Sequence, residues 1–521
     1  MQYIKKLKLS NFKRFEKLEL EFEQGINTII GDNESGKSTI LQAIDLVSSG
    51  NRNRIESSGI ESLLNKASVK SYFIGDKKFD NLPKIHIEIF LNDESNPDLY
   101  GKHNTDGLNA SGLHLVCEPN EELSEEINQV IKSGEENFPY EFYIAKFFTF
   151  NGEAYSGYRQ FLKTLTIDSS KINSEYANRE YIKTIYESSI DYPTRISLKN
   201  EYRQQKIQFR EEHLKTVNDS LGEYDFSVRS GSKSNLETDI TLTQNEIPID
   251  ERRKGQQCFI KTEFALAKKT DKKNIDILLL EEPENHLSHL NMKRLINKIS
   301  ASHQNQIILA THNSLVSTRL DLRKSILINS SSETPIKLKD VSEPTAKFFM
   351  KAPDNNILEF VLSEKVILVE GDAEYILMDS LYANETKRSL EQDCIHVISV
   401  GGTSFKRYME LGKVLGIKTA VIRDNDKDYQ KNCVENYKDF TSDNIKIFSD
   451  QDNSRYTFEV CIHADNEKLC NELFSGGNIK KAPLDFMLDN KSECSFRLAD
   501  KKSDKLITPE YIKQAITWIN E

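Results

Sequence analysis

No stretch of this chain is apolar for long enough to cross a bilayer. The strongest hydrophobic runs, Ile275 to Leu280 and Lys365 to Val369, are short and both are followed by acidic residues, which is how buried strands read and membrane spans do not. The opening residues, Met1 to Lys6, pass straight into strand-like alternation without the apolar core or small-residue cleavage site of a secretory signal, so the cytoplasm is the expected location. The seven cysteines are scattered without a C-x-x-C pair, which argues against a disulfide framework and against a structural zinc site; reduced thiols are expected. Basic charge is not in excess either: 70 Lys and Arg against 81 Asp and Glu leave a net charge of -11. A passive nucleic-acid coat is thereby disfavoured, while a local basic groove or metal ions held by carboxylates remain open. There is no internal repeat and no low-complexity tract of consequence. What is present is a 521-residue chain, 37% apolar and 29% charged, with a mean hydropathy of -0.57. That is the profile of a globular protein of about three or four units.

Ile4 to Phe22 reads as two alternating strands around Asn11-Phe12-Lys13-Arg14-Phe15, followed by Gly25 and the apolar strand Ile26 to Ile30. Ser38 to Val47 has helical spacing. The Tyr-, Lys- and Glu-rich stretch 153–218 reads as a helical insertion suited to assembly or to clamping a partner. Strand signals return at Phe226 to Val228 and Glu237 to Leu242, then at Ile275 to Leu280 and Gln306 to Ala310. A Ser-, Pro-, Lys- and Asp-rich segment follows and reads as a linker. Beyond it, strands at Lys365 to Val369, Cys394 to Val400 and Thr419 to Ile422 alternate with helices in βαβ fashion. The expected division is an ATPase domain from 1–152 and 219–335, the insertion 153–218, a linker 336–360, and a second α/β domain over 361–521.

Gly31-Asp32-Asn33-Glu34-Ser35-Gly36-Lys37-Ser38 satisfies G-x-x-x-x-G-K-[ST], after a strand and before a helix. Its backbone N–H groups and the helix N-terminus cradle phosphate, Lys37 reaches the outer phosphates, and the Ser38 hydroxyl suits magnesium. Gly31, Asn33, Gly36, Lys37, Ser38 and Thr39 are therefore the ATP-binding candidates. Leu278-Leu279-Leu280-Glu281-Glu282 ends a buried strand in adjacent carboxylates. Glu281 is assigned to magnesium through water and Glu282 to polarising the attacking water. His312, at the end of the next strand, is placed to contact the γ-phosphate. Together these motifs resemble the ATP-binding-cassette ATPases of chromosome maintenance and double-strand-break repair. In that pattern Lys254-Gly255-Gln256-Gln257 looks like a degenerate signature motif that would reach a partner's nucleotide. No Gln matches the Q-loop, and Glu281 stands where transporters carry Asp, so binding is expected and hydrolysis is left open.

Glu370-Gly371-Asp372-Ala373-Glu374 follows one buried strand, and Asp424-Asn425-Asp426 follows the next but one. Doubly wound sheets gather strand C-termini in one crevice, so Glu370, Glu374, Asp424 and Asp426 can converge on a divalent ion, with hard oxygen donors suited to Mg2+ or Mn2+. This pattern resembles the Toprim fold of topoisomerases, primases and certain nucleases. With a cassette ATPase ahead of it, the whole chain resembles the OLD (overcoming lysogenization defect) family: an α/β protein with an ABC/SMC-like ATPase head, a helical insertion and a C-terminal Toprim domain.

The resemblance implies a two-metal DNA endonuclease with Glu370, Glu374, Asp424 and Asp426 as ligands. It further implies Glu459, in Tyr456-Thr457-Phe458-Glu459, as a later ligand, and Lys491 as the cation that steadies the phosphorane, with Lys501 and Lys502 as rivals. It implies a homodimer or higher oligomer acting on DNA. Similarity to Gabija-type and retron-associated anti-phage effectors implies a helicase or reverse transcriptase partner. The alternative is a repair-type ATPase clamp that binds DNA without cutting it. A primase or topoisomerase is disfavoured because neither zinc ligands nor a breakage domain with its nucleophilic Tyr is evident.

Overall fold

The computed structural model describes residues 2–132, 137–157, 159, 161–170, 175–221, 223–229, 231, 234–266, 275–302, 305–313, 316, 319–329, 334–352, 356–402, 404–475 and 480–521. They form two compact units: Met1–His312 with Ile328–Pro335, and Asn313–Leu327 with Ile336–Glu521. Among the described residues no helix is long and apolar enough to cross a membrane.

The main elements of the first unit, in chain order, are β1 (Ile4–Phe12), β2 (Phe15–Glu21), β3 (Ile26–Gly31), α1 (Lys37–Ser49), β4 (Ile85–Leu91), β5 (Ala110–Pro119), β6 (Tyr143–Thr149) and β7 (Thr164–Asp168). They continue with α2 (Glu175–Ser189), α3 (Tyr192–His213), α4 (Lys254–Leu266), β8 (Ile277–Glu281), α5 (His289–Ser300) and β9 (Gln306–Thr311). Alternation puts Leu7 and Leu9 of β1 opposite Leu20 and Leu18 of β2, and these strands join β4, β5 and β6 in an antiparallel sheet. A second sheet runs β3-β9-β8-β7, all parallel. Every residue of β3 and β9 is buried, as expected of strands covered on both faces. α1 packs Ile40, Leu41, Ile44 and Val47 against this sheet.

The structure departs from the sequence reading in places. The stretch taken as helical opens with β7, whose Leu165 and Ile167 are buried; five alternating residues are easily hidden among Lys, Tyr and Glu. No strand forms at 226–228, and Leu236–Asp239 is a short helix closed by a capping box from Asn235 and Thr238.

The second unit contains α6 (Glu343–Lys351), α7 (Ile357–Leu362), β10 (Lys365–Val369), α8 (Asp372–Thr386), β11 (Ile395–Ser399), α9 (Phe405–Leu415), β12 (Lys418–Ile422), β13 (Ile445–Phe448), α10 (Phe458–Asp465), α11 (Lys491–Lys502) and α12 (Glu510–Asn520). Its parallel sheet runs β11-β10-β12-β13. The chain leaves β10 to one side for β11 and returns on the other for β12, so a crevice opens at the carboxyl ends of β10 and β12. Ile367, Val369, Ala420 and Ile422 pack with Leu377, Leu381 and Tyr382 of α8 and Ile512, Ile516 and Trp518 of α12. The segment read as a linker is largely folded: Phe349 of α6 and Phe360 of α7 are fully buried, and each packs edge-on at 5.2 Å against Tyr408 of α9. Ser and Pro there serve as helix starts, with Ser342 capping α6, instead of as spacer.

Candidate functional site

The glycine-rich loop leaves β3 at Gly31 and enters α1 at Lys37. Gly36 has φ 99°, and a side chain on it would collide with Phe15, so both backbone conformation and close approach require glycine. The Lys37 Nζ donates to the carbonyls of Gly31 and Asp32, each at 2.7 Å. Burial lowers the Lys37 pKa, opposed by the negative charges of Glu282, Asp32, Glu281 and Glu284. The lysine of the loop and the acidic strand end thus face each other. Asn33 and Ser38 are exposed at the loop and helix mouth, and Thr39 is half-buried.

At the end of β8 the backbone turns at Glu282, with φ 44°. Its carboxylate accepts from Asn285 Nδ2 at 2.7 Å and lies 2.9 Å from His312 Nδ1. Glu282 and His312, singled out separately from the sequence, form one pair. Ser169, following β7, donates to the Glu282 carbonyl at 2.6 Å. Glu284 was not among the predicted residues. It is buried, accepts from Thr311 Oγ1, keeps its second oxygen without a partner, and has its pKa raised by desolvation. Arg14, from the β1–β2 turn, donates to the Glu34 carbonyl of the loop, a contact invisible in sequence because it joins distant segments. The segment Lys254–Gln257 packs within its own chain: Gly255 abuts the His286 carbonyl, and Gln257 Nε2 donates to the carbonyls of Asp250 and Arg252 at 3.0 and 2.7 Å.

In the second unit, Glu370 stands at the end of β10 and Asp424 just beyond β12, on neighbouring strands. Glu374 lies in the first turn of α8, where its Oε2 accepts from the Gly371 N–H at 3.2 Å. Burial pushes the Asp424 carboxyl up to about 8, with Glu374, Glu370 and Glu459 adding repulsion. Burial likewise pushes Glu374 up to about 7, with Glu459 and Glu370 adding to it. Glu370 is raised by desolvation and keeps a buried Oε2 without a hydrogen-bond partner. Glu459, in the first turn of α10 capped by Thr457, is buried and pairs with Lys491 Nζ at 2.9 Å. Desolvation works against the Lys491 ammonium, but the hydrogen bond to Glu459 and the charges of Glu459, Asp424 and Glu374 raise its pKa. Lys491 is the first residue of α11; Lys501 and Lys502 lie in its last turn, and Lys502 is paired to Glu472.

Asp426 is exposed, with φ 48°, and lies 3.4 Å from Arg423 Nη2. The structure therefore brings Glu370, Glu374, Asp424, Glu459 and Lys491 into mutual electrostatic reach, with Asp426 on the exposed loop beside them. Among the described residues no three His, Cys, Asp or Glu side chains close round one point as they would about an ion. The donors nevertheless fit divalent metal in kind: hard oxygens, an orphaned buried carboxylate oxygen, and more negative charge than the local cations offset. Arg423 was missed by the sequence reading. It is largely buried, with its guanidinium bonded to Tyr437 Oη and stacked over that ring at 5.1 Å.

Residues 2–316 match the family described as AAA ATPase domain, and residues 361–426 match the Toprim domain described as overcoming lysogenization defect protein-like. The chain belongs to the AAA ATPase domain family and carries an OLD-like Toprim domain. The ATPase domain implies nucleotide binding, and Toprim domains in general bind divalent metal. Among curated proteins the chain is similar to the DNA replication and repair protein RecF of Clostridium kluyveri, 40% identical over 91 residues, or 17% of this chain and 24% of that protein. RecF of Clostridioides difficile is 23% identical over 347 residues, covering 57% of this chain and 89% of that protein. The match thus spans about a quarter of the length of the first of these relatives. Similar solved structures include the C-terminal region of the Xanthomonas campestris pv. campestris OLD protein, at 20% identity and a TM-score of 0.24 over 30% of this chain and 94% of that one. The SMC head domain from Thermotoga maritima is 15% identical with a TM-score of 0.30, over 64% of this chain and 97% of that one. In the OLD-like domain the family match stops at 426, whereas Glu459 and Lys491 meet the cluster from beyond it.

Proposed function

We propose that this ATPase–Toprim chain is a divalent-metal-dependent DNA endonuclease whose cutting is gated by the nucleotide state of its ATPase unit. The observation that carries the reading is the carboxylate group at the crevice of the second sheet, with Glu374 and Glu459 buried and Glu370 and Asp424 half-buried, all within electrostatic reach of one another. A binding module has no need to hold several like charges out of water, and their mutual repulsion is a standing cost. Glu370, Glu374, Asp424, Asp426 and Glu459 would hold Mg2+ or Mn2+, which when bound activates water and steadies the leaving oxygen. Lys491, half-exposed at a helix start and held by Glu459, would point its remaining N–H groups at the developing phosphorane charge.

In the first unit, Lys37 and the loop N–H groups would hold ATP phosphates, with Ser38 and Glu281 for magnesium. Glu282, held between Asn285 and His312, would orient and polarise attacking water. Assembly as at least a homodimer, and a role as an anti-phage effector with a helicase or reverse transcriptase partner, belong to the same proposal.

Supercoiled plasmid incubated with Mg2+ or Mn2+, with and without ATP, tests it. Nicking or linearisation lost in Asp424→Ala is expected; full cleavage by that variant would remove the Toprim assignment. Similarity to RecF favours a second reading, a repair-type ATPase that clamps DNA without cutting. It would be preferred if wild-type protein bound plasmid in the presence of ATP and left it intact under every metal condition.

A further inference from the structure

A polyanion approaching the crevice of the second unit meets charge of its own sign. Glu370, Glu374, Asp424, Asp426 and Glu459 face it, and the whole chain carries -11. Two nearby cations are already committed, Arg423 to Tyr437 and Asp426, and Lys491 to Glu459. Two others make no ion pair among the described residues: Lys406 and Lys427.

Topology puts both at the carboxylate end of the sheet. Lys406 is the second residue of α9, reached from the C-terminal end of β11 through Gly401 and Gly402, and the Gly402 N–H donates to the Glu370 carbonyl at 3.0 Å. Lys427 directly follows Asp426. Each is held over aromatic rings from a distant segment. The Lys406 Nζ lies 5.2 Å from the centre of the Tyr437 ring and 5.3 Å from that of Phe440. Lys427 Nζ lies 4.5 Å from the centre of Tyr456, whose carbonyl accepts the Asp426 N–H at 3.2 Å. Tyr437 also carries Arg423, so one ring joins a buried cation at the carboxylates to a half-buried one nearer solvent. Ammonium groups set on ring faces are restrained in direction while keeping N–H groups for an incoming anion, and basic residues backed by aromatics suit nucleic acid.

The geometry points to Lys406 and Lys427 as a two-point clamp for the phosphate backbone of the nucleic acid whose phosphodiester enters between them. It rests on the nuclease reading of the same crevice and adds what that reading lacks, a means of bringing a polyanion to a carboxylate site. The competing account is that the two lysines only balance the carboxylates. On that account their removal changes stability and leaves the salt dependence of DNA binding alone.

The test is fluorescence anisotropy of a labelled duplex with full-length protein and Mg2+, on an Asp424→Ala background so that DNA is not consumed, between about 50 and about 200 mM salt. Lys406→Gln with Lys427→Gln is expected to weaken binding roughly tenfold at the upper salt and to reduce the slope of log K against log salt by about 2, near 0.9 per lost phosphate contact. Arginine at both positions is expected to restore the slope. Lys365→Gln with Lys418→Gln, at the opposite ends of β10 and β12, serves as the charge-matched control and should leave it unchanged. An unchanged slope in the first pair, an equal loss in the control, or no binding by the parent protein would overturn the clamp. Plasmid cleavage by otherwise wild-type protein separates the two claims. Uncut plasmid with the expected slopes would remove the nuclease reading and keep the clamp, and cut plasmid with an unchanged slope would do the reverse.

Discussion

Asp424 and Glu374 are costly residues. Their ordinary pKa values are about 3.9 and about 4.3, and burial among other carboxylates raises them to about 8 and about 7. With folded values above unfolded ones, the folded chain binds more protons than the unfolded chain in between. Stability from these groups is therefore full below about pH 4 and drains away as pH rises through 7 and 8. Thermal melts in EDTA should accordingly show Tm falling between about pH 5 and pH 8, by on the order of 5 °C. Asp424→Asn should flatten that profile while abolishing cleavage, and added Mg2+ should oppose the fall in wild type. A Tm that rises over this range would show that the carboxylates are not held together as described. Lys37 follows the same logic with opposite charge: burial disfavours its ammonium, and four carboxylates retain it. Lys37→Met should weaken ATP binding roughly 10- to 100-fold, read by a fluorescent nucleotide, without lowering Tm.

At the scale of elements, the loop after β12 is a built object. Asn425 is buried between the two aspartates, and its Nδ2 donates to the carbonyls of Asp450, Asp452 and Arg455 at 2.8, 3.0 and 3.3 Å. Asn425→Ala would strand those carbonyls and release the loop, costing about 1–3 kcal/mol in urea unfolding and slowing cleavage although both aspartates remain. The D-x-D spacing was legible in the sequence because it is local. The middle residue's task was not, because its partners lie some 25 to 30 positions on. The same distinction explains what else was read and missed. The glycine-rich loop and the apolar strands of both sheets show in runs of a few residues. Arg14 at the loop, Arg423 on Tyr437 and the lysines on their rings depend on contacts between distant segments. The supposed linker was misread for a related reason: its Ser, Pro, Lys and Asp set the reading although apolar residues stand among them, and it is packing of Phe349 and Phe360 on the distant Tyr408 that makes α6 and α7 part of a core. Phe360→Ala should cost roughly 3–5 kcal/mol in the same unfolding measurement, as a fully buried ring does and a linker residue does not.

The whole molecule poses a question of cover. α3 runs for 22 residues without one buried side chain, though Tyr192, Ile196 and Ile207 are apolar and exposed. At 100° per residue these three fall within about 60° of one another, a stripe on one face, while the exposed Phe209 of the same helix lies off it. An isolated helix of this composition gains little from propensity alone and is stabilised mainly by burying such a face. On the proposed assembly a second copy would supply that cover, completing the nucleotide site of the ATPase unit from a partner. Light scattering after size exclusion should then give at least a dimer of the 59.9 kDa chain. Ile196→Asp with Ile207→Asp should shift it toward monomer. If gating runs through assembly, that variant and Lys37→Met should lose the same thing, the response of plasmid cleavage to ATP, while the Toprim residues stay intact in both. Monomeric wild-type protein with and without ATP would remove the assembly argument. A dimer whose cleavage ignores ATP, and ignores Lys37→Met equally, would leave the assembly standing and remove the gate.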